Sequence, residues 1–400
     1  MRLVHLSDLH LGFRQYYRLT PTGINQREAD VARTFQRAVD RVVELRPNLV
    51  VIGGDVFHTV RPTNSAILHA FTQFARLTRE LPETIVVMVA GNHDTPRAAE
   101  TGCILRLFRP LGIHVVDGTP QRLAFPERSL SVLAVPDVPG AQRPALTADP
   151  AARHNVLLLH GEVEGMLPAH LADADRAELE IPLEELGAAQ WSYVALGHFH
   201  VHREIAPNAW YSGSIDYTSA NPWGELVEER QASLPGKGIV EHDLETGAHT
   251  FHPIAPARPL VDLPRIDAQG LSAPELDAAI AAAVERCPGG VEDKIVRLVV
   301  RDVPRHVARE LDHRALREVK RRALHFHLDL RRPEPTRRAG QGSPGRRPSL
   351  ADVVREKLQT RTLTSDLDRE RLVELGLGYL REAEQAEQAA AAPSAPLAEA

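Results

Sequence analysis

Five short apolar runs in the first half of the chain each end on a residue able to hold a metal ion. Leu3-Val4-His5-Leu6 leads into Ser7-Asp8-Leu9-His10, and Leu49-Val50-Val51-Ile52 into Gly53-Gly54-Asp55-Val56-Phe57-His58. Ile85-Val86-Val87-Met88-Val89 leads into Gly91-Asn92-His93-Asp94. Val156-Leu157-Leu158-Leu159 ends at His160-Gly161, and Tyr193-Val194-Ala195-Leu196 at Gly197-His198-Phe199-His200. Short apolar runs bounded by glycine read as buried strands. Between them, apolar residues recur at helical spacing over 25–44 (Val31, Phe35, Ala38, Val39, Val42, Val43), over 64–81 (Ile67, Leu68, Phe71, Phe74) and around 98–108 (Ile104, Leu105, Phe108). A strand, a crossover helix and a second strand form a βαβ unit. In open α/β sheets ligands gather beyond the carboxyl ends of strands, so these strand-end residues are expected to face one site.

The pattern then changes. Residues 128–135 read as a strand, and Tyr211–Ser214 and Lys237–His242 as short strands closing a second sheet. Residues 1–255 are therefore taken as one domain. Ser272-Ala-Pro-Glu275 is a capping box opening a helix towards Arg286. Residues 295–303 read as a strand, 313–322 as a basic helix and 324–330 as another strand, so 256–330 is expected to be a small α+β capping module. Residues 331–349 form a Pro- and Gly-containing linker with six arginines against one glutamate. Two amphipathic helices follow in 350–381, marked by Leu350, Val353, Val354 and Leu358, then by Leu372, Leu375, Tyr379 and Leu380. Residues 382–400, rich in Ala, Glu, Gln and Pro, are expected to be disordered.

Composition narrows the class. The 400-residue chain carries a net charge of −6, so any nucleic-acid contact must come from local basic patches. Two cysteines, Cys103 and Cys287, exclude a disulfide framework and cysteine-based zinc or iron–sulfur centres. No apolar run approaches membrane-spanning length and the N-terminus lacks a signal-like apolar stretch, so a soluble, cytoplasmic protein without membrane contact is expected.

The strand-end residues suit a pair of divalent ions. Two ions roughly 3.5–4 Å apart clamp the attacking and leaving oxygens of a phosphoryl displacement. Such a pair needs a bridging carboxylate, and Asp55 is the expected bridge. Asp8 and His10 leave one loop at i, i+2 and suit one ion; His198 and His200 repeat that spacing and are expected to divide between the two. Asn92 offers an amide oxygen and His160 another imidazole. Mixed imidazole and carboxylate ligands favour manganese, iron or zinc over magnesium or calcium. His58, three residues beyond Asp55, is expected either at the scissile phosphate or as a turn cap. His202 extends the His-x-His run but is read as lying outside the ligand set. His5 is read as a core residue, and His325 and His327 as solvent-facing.

The order Asp8-Leu-His10, Gly54-Asp55, Gly91-Asn92-His93-Asp94, His160 and Gly197-His198-Phe-His200 resembles the calcineurin-like metallophosphoesterase superfamily. Ser7-Asp8-Leu9-His10-Leu11-Gly12, Gln26-Arg27-Glu28, Gly53-Gly54-Asp55-Val56-Phe57-His58 and Tyr211-Ser212-Gly213-Ser214 are similar to the SbcD branch of DNA-repair nuclease subunits. The resemblance implies a four-layer α/β sandwich, two sheets flanked by helices, with two Mn²⁺ ions and nuclease activity. It also implies a homodimer and an SbcC-type coiled-coil ATPase partner docking on the C-terminal helices. By the same resemblance, His93 stays off the metals and stabilises the transferring phosphate or protonates the leaving oxygen. The arginine-rich linker matches no motif.

DNA contact is expected at the basic helix, through Arg317, Lys320 and Arg321. The apolar faces at 67–74 and 104–108 are expected to pack on the sheet and to supply a homodimer contact. The leading function is a Mn-dependent exonuclease or endonuclease subunit in double-strand-break repair. A nucleotide or small-molecule phosphodiesterase on the same core competes with it, and so does a DNA-tethering scaffold with a vestigial metal site. The capping module and the C-terminal helices favour the nuclease over a small-substrate enzyme.

Overall fold

The computed structural model describes residues 1–96, 102–140, 145–165, 176–333, 350–360 and 368–390, with side chains in the last segment described to residue 381. Two six-stranded sheets dominate. The first holds β1 (Arg2–Leu6), β2 (Leu49–Ile52), β3 (Ile85–Val89), β4 (His114–Val116), β13 (Gly238–Asp243) and β14 (His249–Pro253), in the order β14-β13-β1-β2-β3-β4. The second holds β5 (Gln121–Phe125), β6 (Leu130–Val135), β7 (His154–His160), β10 (Tyr193–Gly197), β11 (Arg203–Ala206) and β12 (Ala209–Tyr211), in the order β11-β12-β10-β7-β6-β5. The central strands of both sheets run parallel. Two short strands, β8 (Glu162–Val163) and β9 (Glu180–Ile181), pair beside them, followed by a single turn, α3 (Leu183–Leu186).

The apolar runs are continuous because both of their faces are buried. Alternate residues of each strand point to opposite sides. Leu3, Leu49, Val51 and Val87 meet Val132, Val156, Leu158 and Tyr193 between the two sheets. Val4, Leu6, Val50, Ile52 and Met88 face outwards, onto α1 (Gln26–Leu45) and α2 (Asn64–Glu80). Leu157, Leu159, Val194 and Leu196 face the other way, onto Leu186 and Trp191. The result is the expected sandwich of two sheets with helices outside. Asn25 caps α1, its side chain accepting from the Arg27 and Glu28 amides. Arg27 is 1% exposed and reaches Asp216 at 2.9 Å, tying the start of α1 to the loop after β12.

Several expectations change. Lys237–His242 is strand β13, but it joins the first sheet, antiparallel to β1, rather than the second. A strand's partner is a long-range choice that its own residues do not encode. Residues 104–111 form a 3₁₀ helix containing Pro110, and 97–101 lie outside the described residues. Phe108 is not a surface residue: it is fully buried, its ring 4.8 Å from Phe74. Leu68, by contrast, is 68% exposed, and Phe71 is partly exposed.

Residues 260–330 carry a separate sheet and core: β15 (Leu260–Asp262), β16 (Ile266–Asp267), β17 (Ile295–Arg301) and β18 (His325–Leu330), covered by α5 (Ala273–Glu285), α6 (Arg305–Glu310) and α7 (His313–Arg322). Between β12 and β13 lies α4 (Pro222–Gln231). This sheet and the two-sheet core belong to one compact unit ending at Pro333. Arg258 bonds Asp30 at 2.7 Å across the join, and Arg18 donates to the Ala323 carbonyl at 3.0 Å. His325 is not solvent-facing as expected: its ring stacks on Tyr16 at 3.9 Å.

The remainder forms a second unit. The linker from 334 to 349 lies outside the described residues. The two amphipathic helices are α8 (Leu350–Thr360) and α9 (Arg369–Ala390). They pack on each other, Gly376 lying against Leu358. The backbone of α9 continues past 381, into the stretch expected to be disordered, and 391–400 are not described. No described helix is long and apolar enough to cross a membrane.

Candidate metal centre

The loops after β1, β2, β3, β7 and β10 meet at one edge of the sandwich. They are bound together by their own backbones: Asp8 donates to the Gly54 carbonyl at 3.0 Å, and His10 to the Asp55 carbonyl at 2.9 Å. Asp8, His10, Asp55 and His198 all take positive φ, at 53°, 44°, 49° and 105°. Non-glycine residues enter this region at an energetic cost, which surrounding contacts must offset. Here they turn four polar side chains into a single cluster. Gly91 is required by close approach, since a Cβ there would collide with the Asp55 carboxylate.

Three donor groups result among the described residues. Asp8, His10 and His200 converge, as do Asp55, His160 and His198, each within 4.8 Å. The third, His10, His58 and His93, adjoins the first. His10 Nε2 and His200 Nε2 are 3.0 Å apart, and Asn92 Oδ1 lies 3.0 Å from His160 Nε2. Asp55 stands between the first two groups, with Oδ2 3.8 Å from His10 Nε2 and 3.6 Å from His160 Nε2. Its Oδ1 accepts the His93 amide at 3.0 Å. All seven residues proposed as ligands are thus brought together.

His93 and His58 border the first group, in contact with His10. His93 Nδ1 donates to the His58 carbonyl at 2.8 Å, and the two rings stack at 5.3 Å. His202 bonds the Tyr211 carbonyl and stacks on Trp210, outside the cluster. His5 is fully buried beside the Tyr193 hydroxyl. Arg317, Lys320 and Arg321 are exposed on α7 and form no part of the donor cluster.

The charge balance fits cations. Asp8 and Asp55 are 0% and 2% exposed, and among the described residues no Lys or Arg pairs with either. Burial, then the neighbouring imidazoles, holds His10 well below its ordinary pKa, leaving a neutral ring with a lone pair to give. Burial pushes the Asp55 carboxyl up, but His160, His93 and His198 outweigh it and the net shift is downwards. Burial and the Asp55 charge push Asp94 up to about 7. Buried carboxylates beside imidazole nitrogens are a donor set for divalent transition ions.

Several supporting residues were not read from the sequence. Asp94 accepts from the amides of Val56, Phe57 and Gly91, locking the Asp55 turn. Ser7 joins Asp8 to Ser212. Glu162 takes His198 Nε2 at 3.1 Å. Burial lowers the His198 pKa, but Glu162, Asp55 and Asp8 raise it overall. Asp94 follows His93 directly and was open to discovery; Glu162 lies in a two-residue strand with no pattern of its own.

Residues 1–231 match the profile described as calcineurin-like phosphoesterase. The chain is 33% identical over 254 residues to the DNA double-strand break repair protein Mre11 of Methanococcus maripaludis, covering 61% of this chain and 63% of that one. It is 26% identical over 252 residues to the Mre11 of Methanocaldococcus jannaschii, with 60% and 61% covered. It is 30% identical over 210 residues to that of Sulfurisphaera tokodaii, with 50% and 49% covered. The match thus spans from about half to just under two thirds of the length of these curated relatives. With more than half of the chain matched, over the stretch that holds every strand-end ligand, this protein belongs to the calcineurin-like phosphoesterase family.

Proposed function

We propose that this chain is a Mn-dependent DNA nuclease, the phosphodiesterase subunit of an SbcCD-type double-strand-break repair complex, acting in the cytoplasm with two Mn²⁺ ions. The observation that carries this reading is the position of Asp55, between the Asp8/His10/His200 and His160/His198 groups. When bound there, two such ions supply a Lewis-acid clamp for phosphodiester hydrolysis.

The chain's own residues hold and orient. His160 donates its Nδ1 proton to the Gly53 carbonyl at 2.6 Å, keeping Nε2 available as a ligand. His93 in its charged form, anchored through Nδ1 on the His58 carbonyl, would hand its Nε2 proton to the departing oxygen. His58 would contact the same phosphate. Arg317, Lys320 and Arg321 would meet backbone phosphates of the duplex.

DNA as substrate is supported by the relatives' description as double-strand break repair proteins. The exposed Leu350, Leu375 and Tyr379 of the helix pair support docking on an SbcC-type coiled-coil ATPase, and exposed Leu68 on α2 supports a homodimer contact. Linear duplex DNA and a chromogenic phosphodiester, each with Mn²⁺ or Mg²⁺, test the reading. Cleavage of DNA that is strong with Mn²⁺ and weak with Mg²⁺ is expected. Turnover of the chromogenic diester with intact DNA would point to a small-substrate enzyme, and no turnover of either to a tethering scaffold.

A further inference from the structure

His200 has a carboxylate behind it. Its Nε2 faces His10 Nε2 at 3.0 Å, while its Nδ1 lies 3.4 Å from Glu225 Oε1. Both atoms of the second contact are shielded from solvent, and neither has a hydrogen-bond partner among the described residues, so each is the other's nearest polar match, at ion-pair rather than hydrogen-bond geometry. Glu225 sits on α4 and is itself anchored. Its Oε2 accepts from Lys237 Nζ, which also donates to the His200 carbonyl at 2.7 Å and lies 3.1 Å from Glu229 Oε1. Glu229, one turn further along α4, accepts from the Tyr217 hydroxyl at 2.6 Å. Lys237, Glu225 and Glu229 are 3%, 7% and 2% exposed.

Burying charges is costly unless each finds a partner. Glu229 alone would neutralise Lys237. The second carboxylate therefore exceeds what folding needs, and its extra oxygen is directed at an imidazole of the metal centre. Lys237 bonds the main chain of His200 while its partner Glu225 meets the side chain, so backbone and ring are held by one cluster.

We propose that Glu225 is a positioning residue for the ion held by Asp8, His10 and His200: its carboxylate faces Nδ1 of His200 and favours the tautomer that keeps the ring proton there, so that Nε2 is left unprotonated for that ion. The inference rests on the metal-centre reading and adds to it the group that sets one ligand's tautomer. Outer carboxylate partners of this kind fix a ligating ring's orientation and raise its basicity. His198 is backed in the opposite sense, by Glu162 on Nε2. The two histidines of the His-x-His motif thereby favour different tautomers, each with the other nitrogen left for the donor cluster.

The test compares Glu225→Gln with Glu229→Gln in the full chain. Glu229 touches Lys237 and Tyr217 but not His200, so it controls for disruption of the buried cluster. Titration calorimetry with Mn²⁺ should show one ion weakened about 10–100-fold in Glu225→Gln and the other unchanged. Glu229→Gln should bind both ions as the unaltered chain does, even with a lowered melting temperature. Imidazole nitrogen NMR of the unaltered, metal-free chain gives a readout that needs no variant: His200 should carry its proton on Nδ1. Wild-type Mn²⁺ affinity in Glu225→Gln, equal weakening in both variants, or an Nε2-protonated His200 would each overturn the proposal. An unaltered chain with no Mn²⁺ affinity would instead overturn the metal-centre reading beneath it, and this proposal with it.

Discussion

His160 Nδ1 lies 2.6 Å from the carbonyl oxygen of Gly53, a residue 107 positions earlier in the chain. The bond fixes the imidazole as its Nδ1–H tautomer and turns Nε2 towards Asn92 and Asp55. It also explains why Gly54 can carry no side chain, since a Cβ there would come within 2.5 Å of that nitrogen.

Ligands and the general acid should separate by their effect on metal content. Asp55→Ala and His160→Ala should lose Mn²⁺ binding and phosphodiester cleavage together, because each removes a donor from the same group. His93→Ala should retain both ions while its rate falls about 10²–10⁴-fold, the usual contribution of a positioned acid. Calorimetry showing one ion fewer in His93→Ala would make it a ligand instead.

Two phenylalanines of one core cluster should respond in opposite ways. Phe108 is fully buried against Phe74, so Phe108→Ala should cost about 3–5 kcal/mol, and a charge there should prevent folding. Phe71 is only partly buried, so Phe71→Glu should leave a folded protein. On the proposed homodimer contact it should also sediment as a monomer. Unchanged sedimentation, or a wild-type monomer, removes that contact from the reading.

Acid should destabilise the chain over a window set by buried histidines. Burial, followed by the charges of His202 and His249, lowers His5 to about 3, and burial, followed by His202 and His242, lowers His249 to about 3. The unfolded chain would take up protons at these sites below about pH 6.5 while the folded one resists until about pH 3. Because the unfolded state then binds more protons, stability rises with pH, and the melting temperature should fall steadily from pH 6.5 downwards. His249 stacks on Trp210 at 3.9 Å and neither of its ring nitrogens has a hydrogen-bond partner among the described residues. His249→Phe should therefore fold and flatten the slope; a slope identical to wild type would assign the acid loss to other groups.

Deleting residues 349–400 should leave Mn-dependent cleavage intact and abolish co-purification of the proposed ATPase. The α8–α9 pair leaves Leu350, Leu375 and Tyr379 exposed at 60%, 52% and 69%, apolar surface that a docked partner would cover. Undiminished ATPase binding by the truncated chain would move the docking surface elsewhere.

What the sequence by itself determined is local. The runs ending in Asp8, Asp55, Asn92, His160 and His198 were legible because a strand buried on both faces must be continuously apolar, and the turn that follows must carry small or polar residues. Those two rules place the ligands at one sheet edge without any knowledge of distant contacts. Tertiary structure decided the rest. It sent β13 to the first sheet, buried Phe108 under Phe74, and stacked His325 on Tyr16. It also brought Glu162 and Glu225 against His198 and His200, from 36 and 25 positions away in the chain. Such pairings depend on which surfaces meet when the layers close, and periodicity describes only the face a residue lies on, never the residue it will meet.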